Sequence, residues 1–100
     1  MRVRRTGKSY AHPLIILIAS PNERSNSRFG ISASKAVGGA VSRNRAKRRI
    51  RAAIQSCLAA VKDGWDILLI ARAPLLKAEW PQVCEAVHAV LKRAHLLDDI

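Results

Sequence analysis

Between Phe29 and Ile54 the apolar residues change their period, and that change limits the possible folds more than any other feature. In RFGISAS, residues 28–34, Phe29, Ile31 and Ala33 alternate with Gly30, Ser32 and Ser34, the period of a strand with one buried face. After Gly38-Gly39 the period becomes helical. At about 100° per residue with Val41 as origin, Ala46, Ile50, Ala53, Ile54, Cys57 and Val61 fall between roughly 120° and roughly 220°. A one-faced strand leading into a one-faced helix, from about Ala40 to Val61, requires that helix to lie on a sheet.

The rest of the chain supplies the sheet. Lys8 to Ala11 reads as a short strand, and Leu14 to Ser20 as a buried strand rich in Ile and Leu. PNERSNS, 21–27, is a polar loop, and Asp63-Gly64 closes the basic helix. DILLIA, 66–71, is a further apolar strand, and Pro81 suits the first turn of a last helix that runs to about His95. The order strand, strand, strand, helix, strand, helix predicts one α+β domain over residues 1–100, a small mixed sheet of about four strands covered by helices.

Charge points to the partner. The net charge is +11, and residues 1–51 hold thirteen Lys or Arg against one acid, Glu23. Charge segregated to one side of a compact domain favours a polyanion. The densest stretch is Arg43 to Arg51, where six of nine residues are basic and no acid lies between Glu23 and Asp63. Arg45 with Arg49, and Lys47 with Arg51, are repelling i, i+4 pairs, whereas a merely solvated helix would mix signs. In the same angular plot Arg43 falls near roughly 200°, at the edge of the apolar stripe, and Lys47, Arg51 and Asn44 follow it, a continuous flank at the seam between helix and sheet. Arg48, Arg45 and Arg49 continue round the helix and are assigned to the outer surface. Asn44 offers both donors and an acceptor, able to orient an Arg or read a sugar or base edge.

RFGISASKAVGGAVSRNRAKRRIR resembles the signature of the protein subunit of bacterial ribonuclease P, through Lys35, Gly38, Ala40, Val41, Arg43, Asn44, Lys47, Arg48 and Arg51. GWDILLIARAP is similar to that family's last strand, with Asp66, Ala71, Arg72 and Pro74 in place. The resemblance implies a ribonucleoprotein endonuclease that removes the 5′ leader of precursor tRNA, with the active site and its Mg²⁺ ions in the RNA subunit. It implies RNA-binding roles for Lys35, Arg43, Asn44, Arg45, Lys47, Arg48 and Arg51. It also implies a leader cleft beside the sheet, for which Tyr10, Ser32 and Ser34 are candidates, and a left-handed crossover around the basic helix. Relatives carry an additional N-terminal helix, and residues 1–7 are expected to be its last turn. A ribosomal or nucleoid RNA- or DNA-binding protein would share the basic helix, but not the match in the last strand.

The residues themselves agree that chemistry belongs elsewhere. A metallonuclease needs convergent carboxylates, yet the basic half holds only Glu23, so no catalytic residue and no metal ligand is assigned. His12 reads as a strand-edge residue. Cys84 and His88 share a helix face, but Cys84 continues the apolar stripe Trp80, Val83, Cys84, Val87, Leu91, so packing is favoured over zinc. Trp65, Trp80 and Phe29 are assigned to packing. Cys57 and Cys84 are expected to be reduced, buried thiols of a cytoplasmic protein without a membrane partner. The run Leu14 to Ala19 is too short for a signal-peptide core.

Overall fold

A computed structural model describes residues 7–98. The elements are β1 (Lys8–Ala11), β2 (Ile15–Pro21), β3 (Arg28–Ala33), α1 (Ala40–Cys57), β4 (Trp65–Ala71) and α2 (Trp80–Arg93). Their order is the expected one. The expected helical remnant falls on residues 1–6, outside the described residues, and on Gly7, which belongs to no regular element.

The sheet runs β1-β2-β4-β3. β2 pairs antiparallel with β1 and with β4, while β3 pairs parallel with β4. β3, α1 and β4 therefore form a βαβ unit whose strands are neighbours, which makes the sheet mixed. The register aligns Tyr10 with Leu17, Leu17 with Leu69 and Ile31 with Leu69, so these side chains share one face. On that face Ile15, Leu17, Ile67, Leu69 and Ala71 are buried under both helices. α1 contributes Ala46, Ile50, Ala53 and Ile54, and α2 contributes Val83, Ala86, Val87, Val90 and Leu91. The other face carries Ile16, Ile18, Leu68 and Ile70, all half-buried.

α1 is shorter than its apolar period. It yields at Cys57 to a 3₁₀ turn, Leu58–Ala60, and Val61 leaves in extended conformation to bridge Leu97. The Lys62 N–H donates to the Leu96 carbonyl at 2.7 Å and the Asp98 N–H to the Ala60 carbonyl at 2.7 Å. Val61 is buried as its position on the stripe requires, but this bridge to the C-terminal stretch, rather than a further helical turn, buries it.

Trp80 departs from its assignment to packing. It lies in the first turn of α2, before the stripe reaches the sheet, and is 45% exposed. Trp65 and Phe29 do pack against the core. Cys57 and Cys84 are free but half-buried rather than fully enclosed. Burial pushes the Cys57 thiol above its ordinary range, and the neighbouring Cys84 adds to the shift.

Candidate nucleic-acid interface

Before α1 the chain must turn out of β3 and begin a helix within six residues. A 3₁₀ turn, Lys35–Val37, makes the bend, anchored by buried Val37 and leaving Lys35 exposed. Gly38 has φ +134°, where L side chains are strained, and a Cβ there would stand 3.2 Å from the Ser42 Cβ. Gly39 is the N-cap, in ordinary extended backbone with open space around it. The first turn of α1 holds no acid, so the positive end of the helix dipole adds to the side-chain charge.

Val41, Asn44, Arg48 and Arg51 follow the spacing i, i+3, i+7, i+10, which stacks them along one face of α1. With Lys47 they line a concavity of about 490 Å³. Among the described residues, none of these side chains is engaged in a hydrogen bond or ion pair. Three cations and an amide thus converge on open space with their donors uncommitted, an arrangement suited to phosphate and sugar oxygens. Val41, 82% exposed, adds an apolar surface at the head of the trough. Its signal in the sequence was an apolar residue in the middle of the basic arc.

The ribonuclease P family model matches residues 1–95. This chain belongs to the ribonuclease P protein family. The ribonuclease P protein component of Herpetosiphon aurantiacus is 39% identical over 98 residues, covering 98% of this chain and 80% of that protein. That of Roseiflexus castenholzii is 42% identical over 94 residues, 93% of this chain and 77% of that protein. Among solved structures, the RNase P protein of Staphylococcus aureus superposes with a TM-score of 0.85 at 33% identity, covering 97% of this chain and 89% of that one. The RNase P protein of Thermotoga maritima gives 0.82 at 27% identity, covering 91% and 86%.

Within this ribonuclease P fold the sequence-predicted residues are not all brought together. Asn44, Lys47, Arg48 and Arg51 share the trough. Arg43 is exposed on the first turn outside it, and Arg45 is exposed on the outer surface. Arg49 corrects its assignment to that outer surface. Its guanidinium donates to the carbonyls of Leu75 at 2.7 Å, Leu76 at 3.3 Å and Ala78 at 2.7 Å. On the helical wheel Arg49 borders the apolar stripe on the side where Ala53 begins it, so it occupies a second seam, against the 3₁₀ turn Ala73–Lys77.

The three leader candidates do not share a surface. Tyr10 aligns with Leu17 on the helix-covered face, whereas Ser32 aligns with Ile70 on the other face. Ser34 sits past the end of β3, its N–H donating to the Ala71 carbonyl at 3.0 Å, next to Lys35. Alternation along each strand was legible, but the parity between strands depends on register.

The family-matching Asp66 has a structural task. It is 7% exposed and takes two hydrogen bonds from Arg28, Nε to Oδ1 at 2.8 Å and Nη2 to Oδ2 at 2.7 Å. Asn22 Nδ2 adds a third at 3.0 Å. The Arg28 bonds hold the carboxyl at about 2, against an ordinary 3.8, with Asn22 helping and burial opposing. Asp66 thus ties the loop after β2 to the starts of β3 and β4.

Proposed function

We propose that the chain's part in ribonuclease P, the endoribonuclease ribonucleoprotein that matures tRNA 5′ ends, is to bind the catalytic RNA subunit. Asn44, Lys47, Arg48 and Arg51 would make the central contact, flanked by Lys35, Arg43 and Arg45. The observation that carries this is the trough on α1, where cations converge without a counter-charge among the described residues. The 5′ leader of precursor tRNA would pass along the β3 edge, by Ser34 and Lys35 and the open face that carries Ser32. β3 is an edge strand, and its end leads directly into the basic helix.

In this reading the RNA subunit would hold the active site and its Mg²⁺ ions, which would supply water activation and stabilisation of the leaving oxygen. The described residues offer no metal cage. Among the described residues no three His, Cys, Asp or Glu side chains are grouped to hold an ion. The buried carboxylate, Asp66, is committed to Arg28 and Asn22. Among those residues no helix is long and apolar enough to cross a membrane.

The test is cleavage of precursor tRNA at low Mg²⁺ by catalytic RNA, with and without the chain. The expected result is faster 5′ cleavage with the chain present and none by the chain alone. Cleavage at the mature 5′ end by the protein freed of RNA would overturn the assignment, and so would an RNA reaction indifferent to the protein.

A further inference from the structure

A second concavity lies away from the α1 trough. It measures about 410 Å³, within the usual range for small-ligand sites, and is lined by Lys8, Tyr10, Ala19, Pro21, Trp65 and His95. Its origin is in the register. Lys8 pairs with Ala19, Ala19 with Ile67, and Pro21 with Trp65, so Lys8, Ala19, Pro21 and Trp65 rise from the helix-covered face. Ala19 is the small residue of this patch, and its methyl leaves a floor between Tyr10 on one side and Trp65 on the other. α2 ends above it at Arg93, and its C-cap, Ala94, lines the concavity.

The roof carries a strained residue. The His95 N–H donates to the Lys92 carbonyl at 3.0 Å and the Leu96 N–H to the Leu91 carbonyl at 2.9 Å, the paired bonds that end a helix in a left-handed residue. Glycine is the usual occupant of that position. Here His95 adopts it at φ +58°, and its ring borders the concavity. An L residue held in this conformation at the rim of a cavity points to a role for its side chain. Neither the Lys8 ammonium nor the His95 ring has a hydrogen-bond or ion-pair partner among the described residues.

We propose that this concavity is a second nucleotide site, holding the base of an unpaired nucleotide against Tyr10 and Trp65 and its phosphate beside Lys8 and His95. Aromatic faces accept any base, an ammonium and an imidazole N–H suit a phosphate, and the apolar floor excludes water. The site is distinct from the trough. Residues Val41 to Arg51 lie toward the start of α1, which follows the Ala33 end of β3, whereas Pro21 and Trp65 mark the opposite end of the sheet. The same chemistry is offered by a free mononucleotide and by one nucleotide of an RNA strand.

The indole N–H signals of Trp65 and Trp80, assigned with Trp80→Phe, separate these sources in a magnetic resonance titration. Uridine or adenosine monophosphate is added in one arm and a short single-stranded oligouridylate in the other. The expected result is a saturable shift at Trp65 with Trp80 unmoved, weakened about fivefold or more by Lys8→Ala or Tyr10→Ala. Saturation by mononucleotide identifies a free-nucleotide site, and saturation by the oligomer alone identifies an RNA contact. His95→Gly should raise the melting temperature while weakening binding, whereas a purely structural residue would give the first effect only. A Trp65 signal indifferent to both ligands, or a shift unaltered by the three substitutions in a folded protein, would overturn the proposal.

Discussion

The Arg49 guanidinium donates to the Leu75 carbonyl at 2.7 Å, fastening the basic helix to the turn that precedes α2. Leu75 itself is fully buried, so the bond fixes α1 against an anchored segment. Two further carbonyls, of Leu76 and Ala78, share the same cation. Hydrogen bonds to a charged donor contribute more than neutral ones, and Arg49→Ala should cost about 2 kcal/mol in denaturant unfolding. Because this cation is already engaged, the same substitution should leave the salt slope of RNA binding nearly unchanged. A stability loss near zero would show that the three bonds do not hold the seam.

Lys47 and Arg51 should behave in the opposite way. Both line the trough without protein partners among the described residues. Lys47→Ala or Arg51→Ala should weaken binding to the catalytic RNA and lower the log-log salt slope by about one unit for each phosphate no longer neutralised. Melting temperatures should change little, and removal of an i, i+4 repulsion favours a slight rise. If the slope stays fixed while the melting temperature falls, these side chains serve the fold rather than the RNA.

The contrast between Arg49 and Lys47 shows what the sequence could and could not convey. The angular plot placed the apolar stripe correctly, because Ala46, Ile50, Ala53 and Ile54 follow from the helical period alone. It could not say that the stripe has two borders with different neighbours, since the turn at Ala73–Lys77 reaches α1 from a distant part of the chain. Tyr10 and Ser32 illustrate the same limit in the sheet. Each strand's alternation was legible, but their opposite faces follow from the pairing Tyr10 with Leu17 and Ser32 with Ile70. At His95 the end of the last helix was legible but the left-handed conformation was not, because that conformation is set by where α2 must stop.

Asp66 predicts an acid limit to stability. Its folded value, about 2, lies below the ordinary 3.8, so the folded state favours the ionised form. The contribution is therefore fully present above the ordinary value and is lost as pH falls from about 4 toward about 2. Chemical denaturation across that window should show declining stability, and Asp66→Asn should flatten the decline while lowering stability at neutral pH. An unchanged profile in the variant would assign the acid sensitivity to other carboxyls.

Gly38 and Gly39 are adjacent but should respond in opposite directions. At Gly38 the positive φ strains any L residue, and a new Cβ would press on the Ser42 side chain from 3.2 Å. Gly38→Ala should therefore destabilise by about 1 kcal/mol or more. Gly39 has φ −75°, open space around it and the N-cap position, yet no side chain satisfies the first N–H groups of α1. Gly39→Ser supplies an acceptor there and restricts the unfolded chain, which should stabilise by a few tenths to about 1 kcal/mol. The serine hydroxyl is neutral, so the salt slope of RNA binding should be preserved. Paired unfolding curves decide the matter: if both substitutions destabilise alike, the turn tolerates no side chain and the N-cap assignment at Gly39 is wrong.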